Sequence, residues 1–260
     1  MGHFDRKIFI FGQNVEKLLA QRLSLSYLGT RAEAARLWAA SLSGFVRISW
    51  PIVATVRQKG IKMSVLVTKQ APDFSAEAVL ADGTFAKLSL SQFKGKYVVL
   101  FFYPLDFTFV CPTEIIAFDH RVEDFEAKNV QVIGCSVDSK FSHWAWRNTK
   151  VKDGGIGAVR FPLVSDLSKN IGRDYDVLFD SEKCLRASFL IDKNGVVQHQ
   201  VVNALPLGRN IDEMLRMVDA LQFTESHGEV CPAGWQEGKA GMKGSSEGVA
   251  EYLSKNAKKL

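Results

Sequence analysis

Residues 97–103 read Tyr-Val-Val-Leu-Phe-Phe-Tyr, an unbroken apolar and aromatic run that ends at Pro104. A short run with no polar alternation is the pattern of a strand buried on both faces, and such strands belong to layered folds with helices on either side. From Cys111 onward apolar residues recur at Ile115, Phe118, Val122 and Phe125, the spacing of an amphipathic helix. Residues 130–137 read as a second buried strand, residues 140–150 as a helix, and 161–164 and 187–191 as two more strands. Asp192-Lys193-Asn194-Gly195 signals a hairpin turn, with a return strand over 196–202. Asn210, with Glu213 three residues on, reads as the cap of a helix whose apolar face is Ile211, Met214, Leu215, Val218 and Leu221. Strand and helix alternate, so the chain is expected to be α/β.

That pattern occupies residues 63–223. Residues 224–260 turn polar and Gly-rich and close on a short helical patch near 248–255, a tail expected to pack on the body or on another subunit. Residues 1–62 differ: ten Lys/Arg against three Asp/Glu give +7, while 63–260 holds 23 against 25, a net of −2. The overall +5 therefore belongs to the leader, and no nucleic-acid partner is read from it. Three readings of the leader stand: upstream or artefactual sequence ahead of a start at Met63, a basic and acid-poor transit segment, or a membrane anchor. Arg47 and Pro51 break its best apolar stretch, 37–56, which argues against the anchor and against a membrane partner. The first reading makes the body cytoplasmic; the second sends it to an organelle such as the mitochondrion. Four cysteines with no CxxC pair fit neither a disulfide scaffold nor a zinc site, and no metal or cofactor is expected.

Thr108, Cys111 and Glu114 place a hydroxyl, a thiol and a carboxylate three residues apart, where the buried strand gives way to the helix. Thiols act as nucleophiles only when ionised, and a helix N-terminus favours the anion. A free thiol ionises near pH 8.5, and lowering that by two units takes roughly 2.7 kcal/mol of extra stabilisation of the anion. A first-turn position, a nearby hydroxyl and a fixed guanidinium together supply stabilisation of this kind. Pro104 has no N–H and a rigid ring, which suits it to walling the sulfur from water. Taken singly, Thr108 reads as a helix N-cap. The complete Pro-x-x-x-Thr-x-x-Cys spacing instead reads as a hydroxyl facing the sulfur.

The block from Phe101 to Glu114 resembles the peroxidatic site of the peroxiredoxins. With Val230-Cys231-Pro232 downstream, the closer likeness is to the typical 2-Cys group, of the alkyl hydroperoxide reductase C or thioredoxin peroxidase type. Further matching blocks are Gly154-Gly155-Ile156-Gly157, Phe161-Pro162-Leu163-Val164-Ser165-Asp166, Leu205-Pro206-Leu207-Gly208-Arg209 and the segment 223–235. The resemblance implies a thioredoxin-like fold, with a central mixed sheet flanked by helices and a C-terminal tail that carries the resolving cysteine. It implies thiol-dependent reduction of hydrogen peroxide and organic hydroperoxides. Cys111 matches the peroxidatic cysteine, Pro104 and Thr108 the other residues of its motif, and Arg186 the pocket arginine. Cys231 matches the resolving cysteine, and Glu114 and Arg209 match the residues that hold the arginine network. Ala187 stands where the family most often has Gly, a departure beside Arg186. Also implied are a Cys111 sulfenic acid, a Cys111–Cys231 disulfide between subunits, and recycling by thioredoxin or a dedicated flavoprotein disulfide reductase. The assembly implied is a homodimer, often built into a ring of five dimers. A second class, an oligomeric holdase chaperone or a peroxide-signal relay, would use the same Cys111.

The remaining candidates read as structural. Cys135 lies inside an apolar run, Cys184 is a spectator thiol, and His143 joins Trp144 and Trp146 in an aromatic packing cluster. His120 and His199 lack the spacing of a metal site or a catalytic dyad, and His227 reads as a solvated loop histidine. Family members prone to over-oxidation carry Gly-Gly-Leu-Gly and a Tyr-Phe pair, where this chain has Gly154-Gly155-Ile156-Gly157 and Tyr252-Leu253. Loss of that second ring weakens docking of the tail, so Cys111 is expected to resist sulfinic acid formation. Mass spectrometry after turnover at rising peroxide checks this, and sulfinic acid accumulating at low dose contradicts it.

Overall fold

The computed structural model describes residues 65–260, and the readings of the leader and of a start at Met63 lie outside the described residues. Nine strands are seen there: β1 (Ser75–Val79), β2 (Phe85–Ser89), β3 (Tyr97–Phe102), β4 (Val130–Ser136), β5 (Leu163–Ser165), β6 (Leu178–Phe179), β7 (Lys183–Cys184), β8 (Arg186–Ile191) and β9 (Val197–Asn203). The helices are α1 (Cys111–His120), α2 (Val122–Ala127), α3 (Lys140–Asn148), α4 (Asn170–Asp174), α5 (Ile211–His227) and α6 (Ser246–Asn256). Seven strands form one sheet in the order β2-β1-β5-β4-β3-β8-β9, and β6 pairs with β7 separately. The pairs β3–β4 and β4–β5 are parallel and the others antiparallel, so the sheet is mixed.

All six residues of β3 are buried, and the strand lies between β4 and β8. Side chains alternate across a strand, so the run that looked uniform in sequence feeds two cores. Tyr97, Val99 and Phe101 join Ile115, Phe118, Phe125, Trp146 and Val218 on one face. Val98, Leu100 and Phe102 join Ile133, Val164, Tyr175 and Phe189 on the other. Phe101 stacks on Phe118 at 4.3 Å and meets Phe161 edge-on at 5.7 Å, which ties β3 to α1.

The helix expected through Phe125 is interrupted at Arg121. The Arg121 N–H turns back to the Phe118 carbonyl, 3.1 Å away, tightening the last turn of α1. Because α2 restarts at once, Val122 and Phe125 stay on the buried face and the apolar stripe survives the break. The strand expected over 161–164 begins later, at Leu163. Pro162 has no N–H to give a ladder. It contributes only its carbonyl, which accepts from Gly134 N at 3.0 Å. Asn210 caps α5 by accepting from Glu213 N at 3.2 Å, and the helix continues to His227, where Gly228 stops it in the left-handed conformation. Ser139 caps α3 in the same way.

β3 ends where α1 must begin on its own side of the sheet, and residues 103–110 make that crossing. Phe107 adopts φ +52°, a left-handed backbone uncommon for a residue with a side chain. This sharp turn brings the start of α1 back over the C-terminal end of β3. Phe101→Ala removes the ring that bonds sheet to helix and is expected to cost about 3–5 kcal/mol of stability. Urea unfolding followed by circular dichroism checks it; a cost under about 1 kcal/mol would mean that the core refills the space.

Candidate active site

Cys111 is the first residue of α1, and its side chain is fully buried. Thr108 Oγ1 lies 2.9 Å from its sulfur and 2.8 Å from the Leu105 carbonyl oxygen. A hydroxyl carries one proton, so it can donate to the carbonyl and turn a lone pair to the sulfur, or donate to the sulfur itself. Thr108 is not the cap of α1: Val110 takes that position, and no side chain caps it. The hydroxyl is engaged by Leu105 and Cys111, one turn before the helix.

Arg186 opens β8 on the strand next to β3, and its Nη1 stands 3.4 Å from the Cys111 sulfur. The same nitrogen donates to Glu114 Oε2 at 2.7 Å, while Nε donates to the Leu205 carbonyl at 2.6 Å. Glu114, one turn along α1 from Cys111, also receives a two-pronged grip from Arg209, Nε to Oε1 at 2.8 Å and Nη2 to Oε2 at 3.0 Å. Arg209 Nη1 is spent on the Phe102 and Ala187 carbonyls and on Ser188 Oγ. Ala187 is itself wholly buried and lends its carbonyl to this network, so the departure beside Arg186 leaves the arginine in contact with the sulfur.

The charges do not cancel. Two guanidinium groups share one carboxylate, all three nearly excluded from water, which leaves one positive charge over. The cysteine sulfur is the polar atom placed against that surplus, at the N-terminus of a helix whose dipole has the same sign. Burial works to raise the Glu114 carboxyl, but the hydrogen bonds and charge of Arg209, then the charge of Arg186, hold it below the usual glutamate value. The arrangement is that of a buried sulfur nucleophile, with donors set to receive negative charge on a departing atom.

Cys111, Thr108, Arg186, Glu114 and Arg209 are thus brought together. Pro104 is buried in the crossing segment between β3 and Thr108. Cys231 is not part of this cluster: it lies half-buried against α5, and both sulfurs are free thiols. Cys135 and Cys184 are buried too; burial pushes the first well up and the second up to about 12, which makes them inert.

His143 borders an aromatic cluster, its ring 6.3 Å from that of Tyr103, which lies 6.2 Å from that of Trp146, but Trp144 is not part of it and packing is not all that His143 does. Trp144 faces solvent, while the His143 ring is wholly buried and engages Asp106 Oδ2 through Nδ1 at 2.8 Å and the Val164 carbonyl through Nε2 at 3.2 Å. Tyr103 donates to Asp106 Oδ1 at 2.9 Å, and the Asp106 N–H donates to Asp138 Oδ2 at 2.9 Å. This buried network braces the crossing segment from below. Burial, then the neighbouring Asp106 charge, raises the Asp138 carboxyl. A signal for it existed in the sequence: Asp106 and Asp138 each stand just past the C-terminal end of one of two neighbouring parallel strands, where functional groups collect.

The chain is similar to known proteins over most of the described residues. The model of the AhpC/TSA family matches residues 67–200, and that of the C-terminal domain of 1-Cys peroxiredoxin matches 220–255. Alkyl hydroperoxide reductase C of Helicobacter pylori is 61% identical over 198 residues, 75% of this chain and all of that protein. Peroxiredoxin-1 of Gekko japonicus is 54% identical over 191 residues, 73% of this chain and 96% of that one. The crystal structure of reduced 2-Cys peroxiredoxin from Plasmodium vivax aligns with a TM-score of 0.73 at 56% identity, covering 74% of this chain and 100% of that chain.

Removing the shared carboxylate leaves two buried guanidinium groups facing each other. Glu114→Gln is therefore expected to cost about 3–5 kcal/mol at neutral pH. The folded-state carboxyl lies below its usual 4.5, so its stabilisation is complete above that value and is lost as pH falls through the folded value. Urea midpoints of the natural protein should fall in this acid range, and those of the variant should lack that share of the fall. Parallel curves for the two proteins would contradict it.

Proposed function

We propose, from the premise that this chain belongs to the AhpC/TSA family and is a peroxiredoxin, that Cys111 carries the peroxidase reaction of the enzyme with the help of the groups that surround it. The Cys111 thiolate attacks the terminal oxygen of hydrogen peroxide or an organic hydroperoxide. An S–O bond forms, the O–O bond breaks, and water or an alcohol leaves after taking up a proton. Cys111 is left as the sulfenic acid. Arg186 and Thr108 meet the charge that develops on the separating oxygens, and Glu114 and Arg209 hold Arg186 in position. The observation that carries this reading is the contact of one sulfur with both the Thr108 hydroxyl and the Arg186 guanidinium.

In the second step the Cys231 thiol of a partner subunit attacks the sulfenic sulfur. The disulfide forms and hydroxide departs with the proton of Cys231, as water. Cys111 is fully buried at the start of α1, so the first turn must open for the sulfurs to meet. An external dithiol, from thioredoxin or a flavoprotein disulfide reductase, then takes the oxidation in exchange for two thiols.

A homodimer is supported by β9, which ends the sheet: among the described residues its far edge is bonded only at Val197, by Thr68 and Lys69, leaving the backbone groups beyond Val197 open to a second copy. Assembly of dimers into a ring is supported by the exposed rings of Phe85, Phe141 and Trp144, and by Phe109, 93% exposed beside the site. Among the described residues no helix is long and apolar enough to cross a membrane. A cytoplasmic setting suits four free thiols, and an organelle is the alternative if residues 1–62 are a transit segment.

Cys111→Ser is expected to abolish peroxide-dependent NADPH consumption coupled through thioredoxin, and Arg186→Met to slow the reaction with peroxide by roughly 100-fold. Mixing Cys111→Ser with Cys231→Ser protein should give one disulfide-linked dimer on a non-reducing gel. A band only at the monomer position would rule out resolution between subunits.

A further inference from the structure

Helix α1 is anchored near both ends, and only one of the anchors faces the sulfur. Near its start, one turn from Cys111, Glu114 is held by Arg186 and Arg209. Near its end, Asp119 is held by Arg160, which lies in the segment leading into β5. The Arg160 N–H donates to Asp119 Oδ1 at 2.7 Å, and its Nε reaches the same oxygen at 3.3 Å. Nη2 donates to the Asp119 carbonyl at 2.6 Å, and Nη1 to Glu123 Oε1 on α2 at 2.6 Å. One side chain therefore spans the break at Arg121, where α1 ends and α2 restarts.

The segment that carries Arg160 is itself fixed. Its neighbours Val159 and Phe161 are buried in the same core as Cys111 and Ile115. The Val159 carbonyl accepts from Arg147, a buried guanidinium on α3 that also donates to the Ala81 carbonyl in the turn between β1 and β2. Upstream, Trp146 Nε1 donates to the Gly154 carbonyl at 2.8 Å, and the Ile156 N–H returns to the Trp146 carbonyl at 3.3 Å. Arg160 thus ties the far end of α1 to α3 and the first hairpin, parts of the molecule that hold no reacting group.

Opening the first turn of α1 breaks the Glu114 anchor. It leaves Asp119 untouched, since that residue lies eight positions beyond Cys111, about 12 Å further along the helix axis. From this asymmetry we infer that Arg160 is a positioning residue for the disulfide step, a hinge stop that confines the opening of α1 to its first turn. The inference rests on the reading that this turn opens to let Cys111 meet Cys231. With Asp119 and Glu123 gripped, Cys111 swings out on a short tether. On reduction, the turn then winds back onto a helix that is still standing, which avoids the cost of a fresh nucleus. The same grip makes opening harder, because it denies the freed chain the conformations that a wider unwinding would add.

The test is hydrogen exchange at single amides in the reduced and the disulfide-linked full chain, for the natural protein, Arg160→Ala and Glu123→Gln. In an α-helix each N–H bonds the carbonyl four residues back, so release of 111–114 frees the amides up to 118. In the oxidised natural protein those amides should gain exchange, while 119–121 keep the protection they have when reduced. In oxidised Arg160→Ala, exchange at 119–121 should rise about tenfold, as loss of the guanidinium hydrogen bonds implies. Glu123→Gln removes only an exposed ion pair and should leave them as in the natural protein. After one equivalent of hydrogen peroxide, Arg160→Ala should form the Cys111–Cys231 disulfide about threefold faster, at an unchanged rate of sulfenic acid formation. Protection across β3 equal in all three proteins shows that the fold is intact. Natural protection of 119–121 in oxidised Arg160→Ala, or equal loss of it in Glu123→Gln, would overturn the inference. No gain of exchange up to 118 in the oxidised natural protein would instead overturn the opening of the first turn, and the hinge stop with it.

Discussion

One carboxylate held between two arginines organises the reactive end of this molecule. Glu114 sits on α1, Arg186 on β8, and Arg209 in the loop before α5, so three separate parts of the chain meet at a single buried anion. Arg209 also binds the last carbonyl of β3 and the Ala187 carbonyl of β8, which fastens the ion cluster to the sheet. The cost of burying these charges is offset by geometry, because nearly every donor on Arg209 has an acceptor. What the cluster leaves uncompensated is one positive charge, and it leaves it beside Cys111.

The same cluster sets a conflict between holding and opening. Cys111 and Glu114 share the first turn of α1, so the contacts that prepare the sulfur also lock the turn that has to unfold for a second sulfur to reach it. The crossing segment is braced from below by Asp106, His143 and Tyr103, and from the side by Trp146, whose ring lies 5.7 Å from that of Phe107. Strain at Phe107, with its positive φ, works the other way and favours release. Reactivity toward peroxide and readiness to form the disulfide are therefore opposing demands on one helical turn.

Much of the fold was legible in the chain because burial on both faces writes itself plainly in β3, β4 and β8. The hairpin β1–β2 escaped notice, although Asp82-Gly83 marks its turn and Asp82 accepts from Thr84 N at 2.9 Å. Its strands mix Glu, Lys and Ser with few large apolar residues, so they carry weak alternation. At the site, Thr108 and Cys111 declare themselves by spacing along one turn. Arg186 and Arg209 do not, since they reach Glu114 across 72 and 95 residues of chain, and only the likeness to a known family pointed to them. The aromatic surroundings of His143 were legible from Trp146, but its bond to Asp106 was not, because α3 turns the ring inward to a residue 37 positions away and leaves Trp144 exposed.

The central claim is that a carboxylate which never touches the sulfur governs how fast that sulfur reacts, by fixing the guanidinium that does. The direct measurement is the second-order rate constant of reduced Glu114→Gln protein with hydrogen peroxide at neutral pH, by stopped-flow tryptophan fluorescence, in protein whose circular dichroism shows it folded. A shared carboxylate predicts a loss of at least about tenfold, the effect of one misplaced charged donor at a developing oxyanion. A folded variant that reacts at the natural rate would show that Arg186 is held by something else, and that the ion cluster serves stability alone.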